Sequence, residues 1–140
     1  MSRIPSTSVL VVDDFASWRD MVCALLERKG LQVVGQAGNA ADAIRKAQEL
    51  KPDLILLDIR LPDATGIETA SQILQRVPDT KIIFVTQTIN TAIAQAAMAD
   101  GACGYVLKID AANELLQAIE SALRGEKFIS SRLRTTSLNF

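Results

Sequence analysis

Apolar residues gather along the chain in short unbroken runs: residues 9–12 (Val-Leu-Val-Val lies at 9–12), 54–57 (Leu-Ile-Leu-Leu), 82–85 (Ile-Ile-Phe-Val) and 105–107 (Tyr-Val-Leu). A continuous apolar run reads as a strand buried on both faces, as in a parallel sheet. A weaker strand, second in chain order, over 31–37 carries Val33 and Val34. Between these runs the apolar spacing changes to three and four residues. Phe15, Trp18, Val22, Leu25 and Leu26 predict a helix over 15–29; Ala43, Ile44, Ala47 and Leu50 predict a second, ending at Lys51. Ile67, Ala70, Ile73, Leu74 and Val77 predict a third, residues 90–100 an Ala-rich fourth, and Leu115, Leu116, Ile119 and Leu123 a fifth. Asn39 with Asp42, Thr65 with Glu68, and Asp110 supply start signals, and Gly30, Gly101 and Gly125 supply stops. Strands alternating with helices through short connections predict βαβ units, right-handed crossovers and a mostly parallel five-stranded sheet covered on both faces.

What ends each strand carries the chemistry. The first ends in Asp13-Asp14, the third in Asp58, the fourth in Thr86 and the fifth in Lys108. In a parallel sheet these groups emerge along one edge, where open α/β sheets bind ligands. Three converging carboxylates repel one another, and a hard divalent cation such as Mg²⁺ relieves that repulsion. A lysine and a hydroxyl then remain to hold an anion, so the set suits phosphoryl transfer to a carboxylate. Taken singly, each residue has a plainer role. Asp13 and Asp14 could cap the first helix, Asp58 could end a strand, and Trp18 could be packing only.

Composition narrows the classes. The chain has 140 residues, enough for one domain and one core. Fifteen basic against sixteen acidic residues give a net charge of −1, which offers no electrostatic footprint for nucleic acid. With no histidine, His-based catalysis and His metal ligation are excluded. Cys23 and Cys103 fit no metal spacing, no apolar run is long enough to span a bilayer, and no signal peptide stands at the N-terminus. A cytoplasmic protein with free thiols is expected.

The residues Val-Val-Asp13-Asp14, Leu-Leu-Asp58-Ile-Arg-Leu-Pro62 with Gly66, Phe-Val-Thr86, and Gly101-Ala-Cys-Gly104-Tyr105-Val-Leu-Lys108 resemble the receiver domain of two-component response regulators. They resemble most closely the receivers of LuxR/NarL-type transcription regulators, over residues 8 to about 131. The resemblance implies a flavodoxin-like (βα)5 fold with strand order 2-1-3-4-5, an order for which a receiver is a standard example. It implies Asp58 as phosphoacceptor and Mg²⁺ held by Asp13, Asp14, Asp58 and the backbone carbonyl of Arg60. It implies Lys108 and Thr86 on the phosphoryl oxygens, and Thr86 with Tyr105 as a switch. The implied donor is a sensor histidine kinase or phosphotransfer protein. The sequence departs from the common pattern at Ile109, where many receivers carry proline, and at Gln87, where small residues are usual.

The resemblance divides the chain into a receiver over 1–125 and a tail or linker over 126–140, with no DNA-binding domain within this chain and hence no direct nucleic acid binding expected; without a spanning apolar run no membrane partner is expected either. Ser/Thr-rich residues 132–140 favour a flexible end. In the fourth helix only Gln95 is polar among residues 92–99. Either its surface, with strand 5 and helix 5, binds a partner or a second copy, or its small alanines expose little apolar area. Two rival functions stay open: a Mg²⁺-dependent phosphatase for a small substrate, and a stand-alone, phosphorylation-independent interaction module.

Overall fold

The computed structural model describes residues 6–134. Its elements run β1 (Ser8–Val12), α1 (Ala16–Arg28), β2 (Gln32–Ala37), α2 (Ala40–Leu50), β3 (Leu54–Leu57), α3 (Gly66–Arg76), β4 (Lys81–Thr86), α4 (Thr91–Ala99), β5 (Gly104–Leu107), a 3-10 turn (Lys108–Asp110), α5 (Ala111–Leu123), β6 (Phe128–Ile129) and α6 (Ser131–Arg134). The sheet order is 2-1-3-4-5, as expected, with β6 added beside β5. All pairings are parallel.

Period-2 geometry sends successive side chains of each strand to opposite faces. Leu10, Val12, Ile55, Leu57 and Phe84 face α2, α3 and α4, where Ala47, Ile73 and Ala97 meet them. Val9, Val11, Leu54, Leu56 and Val85 face α1 and α5, where Leu26, Leu115 and Ile119 meet them. The unbroken apolar runs are therefore the signature of a sheet with a core on each side. Among the described strands β2 is the most exposed, which explains its weaker apolar signal.

Local chemistry sets three of the helix starts. The side chains of Asn39, Thr65 and Asn90 accept hydrogen bonds from the backbone N–H groups of Asp42, Glu68 and Ile93. Asp110 departs from expectation. It precedes α5 but makes no side-chain cap; its carboxylate instead accepts from Arg132 Nε at 2.9 Å. Phe15 also departs from its helical spacing: it stands before α1 and is 64% exposed.

The segment after Gly125 is built into the sheet. Phe128 N–H donates to the Cys103 carbonyl and Ser130 N–H to the Tyr105 carbonyl. The buried Ser130 hydroxyl accepts from Leu107 N–H at 2.9 Å, and Leu133 is fully buried. The flexible end expected from residue 132 therefore does not begin there; 132–134 are helical, and residues 135–140 lie outside the described residues. Among the described residues no helix is long and apolar enough to cross a membrane. Cys23 is buried, Cys103 partly so, and both are free thiols.

Candidate functional site

Strand register brings the site together. Val12 pairs with Leu57, Leu57 with Phe84, and Thr86 with Leu107. The residues that follow, Asp13, Asp58 and Lys108, leave the sheet at one edge beside Thr86. Asp13 and Asp58 are buried, and Asp14 is exposed. One carboxylate oxygen from each of the three lies within 4.8 Å of the others.

Lys108 Nζ is 2.6 Å from Asp13 Oδ2 and 3.3 Å from Asp58 Oδ2. Asp13 Oδ1 accepts from Phe15 N–H at 2.9 Å. Its buried Oδ2 is met by the Lys108 ammonium, which Asp58 shares. Burial pushes the Asp13 carboxyl above its ordinary range. The Lys108 ammonium and the Phe15 N–H pull it back, and the neighbouring Asp58 charge raises it further. One lysine among three carboxylates leaves the cluster short of positive charge. The donor set, all carboxylate oxygen, fits a hard divalent cation.

A cavity of about 420 Å³ opens over this cluster, lined by Asp14, Asp58, Arg60, Thr86, Gln87 and Lys108 among others. Asp13 sits behind that lining, against Lys108. The loop after β3 is tightly closed. Arg60 N–H makes a long contact with Asp58 Oδ1 at 3.4 Å, and Arg60 bridges to Thr65. Gly66 N–H donates to the Ile59 carbonyl at 2.6 Å. A Cβ on Gly66 would fall 2.1 Å from the Asp58 carbonyl oxygen, so glycine is required by close backbone approach. Asp63 moors the same loop to α2, accepting from the N–H groups of Ala40 and Ala41 at 2.7 and 3.0 Å.

Thr86 is buried, and its hydroxyl is engaged by its own loop: it donates to Thr88 Oγ1 and accepts from Thr88 N–H. Tyr105 lies beneath that loop, fully buried against Phe84, with its hydroxyl donating to the Thr88 carbonyl at 2.8 Å. Burial, with the Asp58 charge in second place, raises the phenol well above its ordinary range. Thr88 thus joins Thr86 to Tyr105 through its backbone and hydroxyl. Among the described residues no peptide bond is cis, so Ile109 follows Lys108 through a trans bond.

Several residues at the site are absent from the expectations drawn from sequence. Arg19 Nη1 donates to the Asp13 carbonyl at 2.6 Å and its Nε to Gln36 Oε1, which fixes the end of β1. Lys108 Nζ lies over the Trp18 ring, 5.0 Å from its centroid. Beside the acidic cavity lies a more open apolar groove of about 700 Å³, where Phe15, Met21, Ile89 and Ile109 are exposed. Ile89 stands alone among polar loop residues, and only that isolation marked it in the sequence; Ile109 was marked by standing where many receivers carry proline.

Residues 9–120 match the response regulator receiver domain family. The chain is 37% identical over 126 residues to the response regulator GacA of Pseudomonas aeruginosa, covering 89% of this chain and 59% of that protein. It is 32% identical over 132 residues to the transcriptional regulatory protein LnrK of Bacillus subtilis, covering 94% and 60%. Among solved structures, a LuxR-family two-component response regulator from Aurantimonas sp. superposes with a TM-score of 0.89 at 34% identity, over 93% of this chain and 94% of that one. The isolated receiver of RcsB from Salmonella enterica, solved with the phosphomimetic BeF3-, superposes at 0.86 with 25% identity, over 93% and 97%. The chain spans about three fifths of the curated relatives it matches. The acidic triad at the sheet edge, the 2-1-3-4-5 order and these matches make this chain a member of the response regulator receiver family, a phospho-switch rather than a conventional enzyme.

Proposed function

We propose that this receiver takes a phosphoryl group on Asp58 from the phosphohistidine of a sensor histidine kinase or phosphotransfer protein. The observation that carries the reading is the placement of Asp58: a buried carboxylate at the floor of the cavity, 3.3 Å from Lys108 and grouped with Asp13 and Asp14. An Asp58 oxygen attacks phosphorus, the bond from phosphorus to the donor's imidazole nitrogen breaks, and that nitrogen keeps the electron pair. Lys108 and Thr86 then hold the oxygens of the acyl phosphate. Asp13, Asp14, Asp58 and the Arg60 carbonyl would hold Mg²⁺, which when bound supplies charge neutralisation at the transferring group.

The apolar groove supports a protein donor. Phe15, Met21, Ile89 and Ile109 rim the mouth beside Lys108, so a helix bearing the phosphohistidine would cover apolar surface as it reaches Asp58. Transmission runs through Thr86, Thr88 and Tyr105 to α4. The exposed face of α4, Ala92, Gln95, Ala96 and Ala99, is small and nearly uncharged, and an output partner or second copy would read it there. The β5 edge is not open to such a partner, because β6 already pairs with it. We assign residues 1–125 to the receiver and 126–140 to a linker whose start is docked. The output is transcription regulation, as the names of the relatives suggest, through a DNA-binding domain joined to the receiver or through a partner. Free thiols fit a cytoplasmic setting.

Intact mass after incubation with Mg²⁺ and acetyl phosphate tests the reading. A single phosphoryl adduct that requires Mg²⁺ and is lost in Asp58→Asn is the expected result. No adduct from acetyl phosphate or from a phosphohistidine donor would leave a receiver-like module that works without phosphate.

A further inference from the structure

The Lys108 ammonium meets two carboxylates and one aromatic ring. Its side chain is 10% exposed; Nζ touches Asp13 and Asp58 and lies 5.0 Å from the centroid of Trp18. That distance is within the range of roughly 6 Å over which an aromatic face attracts an ammonium. Trp18 is in the first turn of α1, partly buried, packed against the α1/α5 side of the core and exposed on the apolar groove. The indole and Lys108 therefore line the groove side by side, with the ring against the ammonium.

We propose that Trp18 is the positioning residue for Lys108, its ring holding the ammonium at the pocket while the ammonium exchanges Asp13 for an oxyanion on Asp58. The inference rests on the function proposed above. A lysine is a point charge on a flexible stem, and nothing in its own chemistry fixes its direction. Here the pull is unequal, 2.6 Å to Asp13 against 3.3 Å to Asp58, so the ammonium is parked on Asp13. Phosphoryl binding needs it nearer Asp58. A third carboxylate in the place of Trp18 would compete for it. An aliphatic side chain would give it no attraction away from Asp13. An aromatic face attracts it without a formal charge and so does neither.

The plainer account is that Trp18 only fills space on α1. The two accounts separate in Trp18→Phe, which keeps a ring, and Trp18→Leu, which keeps only bulk. The probes are Mg²⁺ alone and beryllofluoride at saturating Mg²⁺, with affinity read by calorimetry and the bound fluorides by ¹⁹F NMR. Trp18→Leu is expected to weaken beryllofluoride about fivefold, the effect of one cation–π contact, with Mg²⁺ affinity unchanged or slightly improved. Trp18→Phe is expected to retain most of the wild-type affinity. Equal beryllofluoride affinity in all three proteins overturns the inference. So does an equal loss in both variants, or a parallel loss of Mg²⁺ affinity, since each is what a packing role gives. Wild-type protein that binds Mg²⁺ but takes up no beryllofluoride overturns the proposed function and this inference with it.

Discussion

The two ends of the sheet hold their carboxylates in opposite ways. At the N-terminal end, Asp53 Oδ2 accepts from Ser8 N–H at 2.9 Å and from the Ser8 hydroxyl at 3.1 Å, and Asp53 N–H donates back to that hydroxyl at 2.8 Å. This acid is exposed and well supplied with donors, and it ties β1 to β3. At the C-terminal end Asp13 and Asp58 are buried and share one lysine, whose ammonium is the partner of Asp13 Oδ2. Buried polar groups are normally satisfied, so three carboxylates gathered around one lysine stand out. The same kind of side chain is thus a staple at one end and part of a crowded, partly compensated charge cluster at the other.

The harshest way to break the contrast is Gly66→Ala. The added carbon meets backbone at 2.1 Å from the Asp58 carbonyl oxygen, so no side chain can turn aside and the loop itself has to move. A loss of about 3 kcal/mol or more in urea unfolding is expected, together with loss of Mg²⁺ binding. Unchanged stability would mean that the loop closure does not hold Asp58 in place.

Neutralising one acid at each end comes next, and the two effects should differ in sign. Asp13→Asn removes a buried charge and keeps an acceptor for Phe15 N–H. Without Mg²⁺ it should gain about 1 kcal/mol of stability, and it should lose Mg²⁺ affinity by about tenfold or more. Asp53→Ala removes the acceptor of both Ser8 donors and should lose about 1 kcal/mol with Mg²⁺ affinity unchanged. Denaturation with and without Mg²⁺ separates them. A loss of stability in both would place the Asp13 carboxylate among the staples.

The contrast also shows which features sequence could carry. The central strands were legible because burial on both faces leaves an unbroken apolar run, and the acidic edge because its groups follow those runs directly. β6 was not, since Phe128 and Ile129 are too few to set a period, and their pairing depends on Ser130 bonding to Leu107 across the fold. Asp110 carries a valid capping signal, overridden by Arg132 from 22 residues away. Phe15 and Trp18 share one helical spacing with Val22. Spacing alone could not separate an exposed rim, a wall beside Lys108 and a core residue. Arg19 and Asp63 act on backbone atoms that only the folded chain brings near.

The gentlest test is pH. Asp63 lies close to the acidic cavity in sequence, on the loop after Asp58, yet it belongs with the satisfied acids. The Ala40 N–H, and after it the Ala41 N–H, hold its carboxyl below the ordinary range. A carboxyl lowered by folding binds protons more readily in the unfolded chain. Its stabilisation is therefore complete above the ordinary carboxylate range and disappears as pH falls through the folded-state value. Asp13 is shifted the other way: its cost to stability is absent in acid and grows as pH rises through its raised value. Urea midpoints measured across the acid range should show Asp63→Asn below wild type at neutral pH and Asp13→Asn above it, with both differences closing toward acid. A deficit in Asp63→Asn that stays constant with pH would assign it to lost packing in the loop rather than to the charge held at the start of α2.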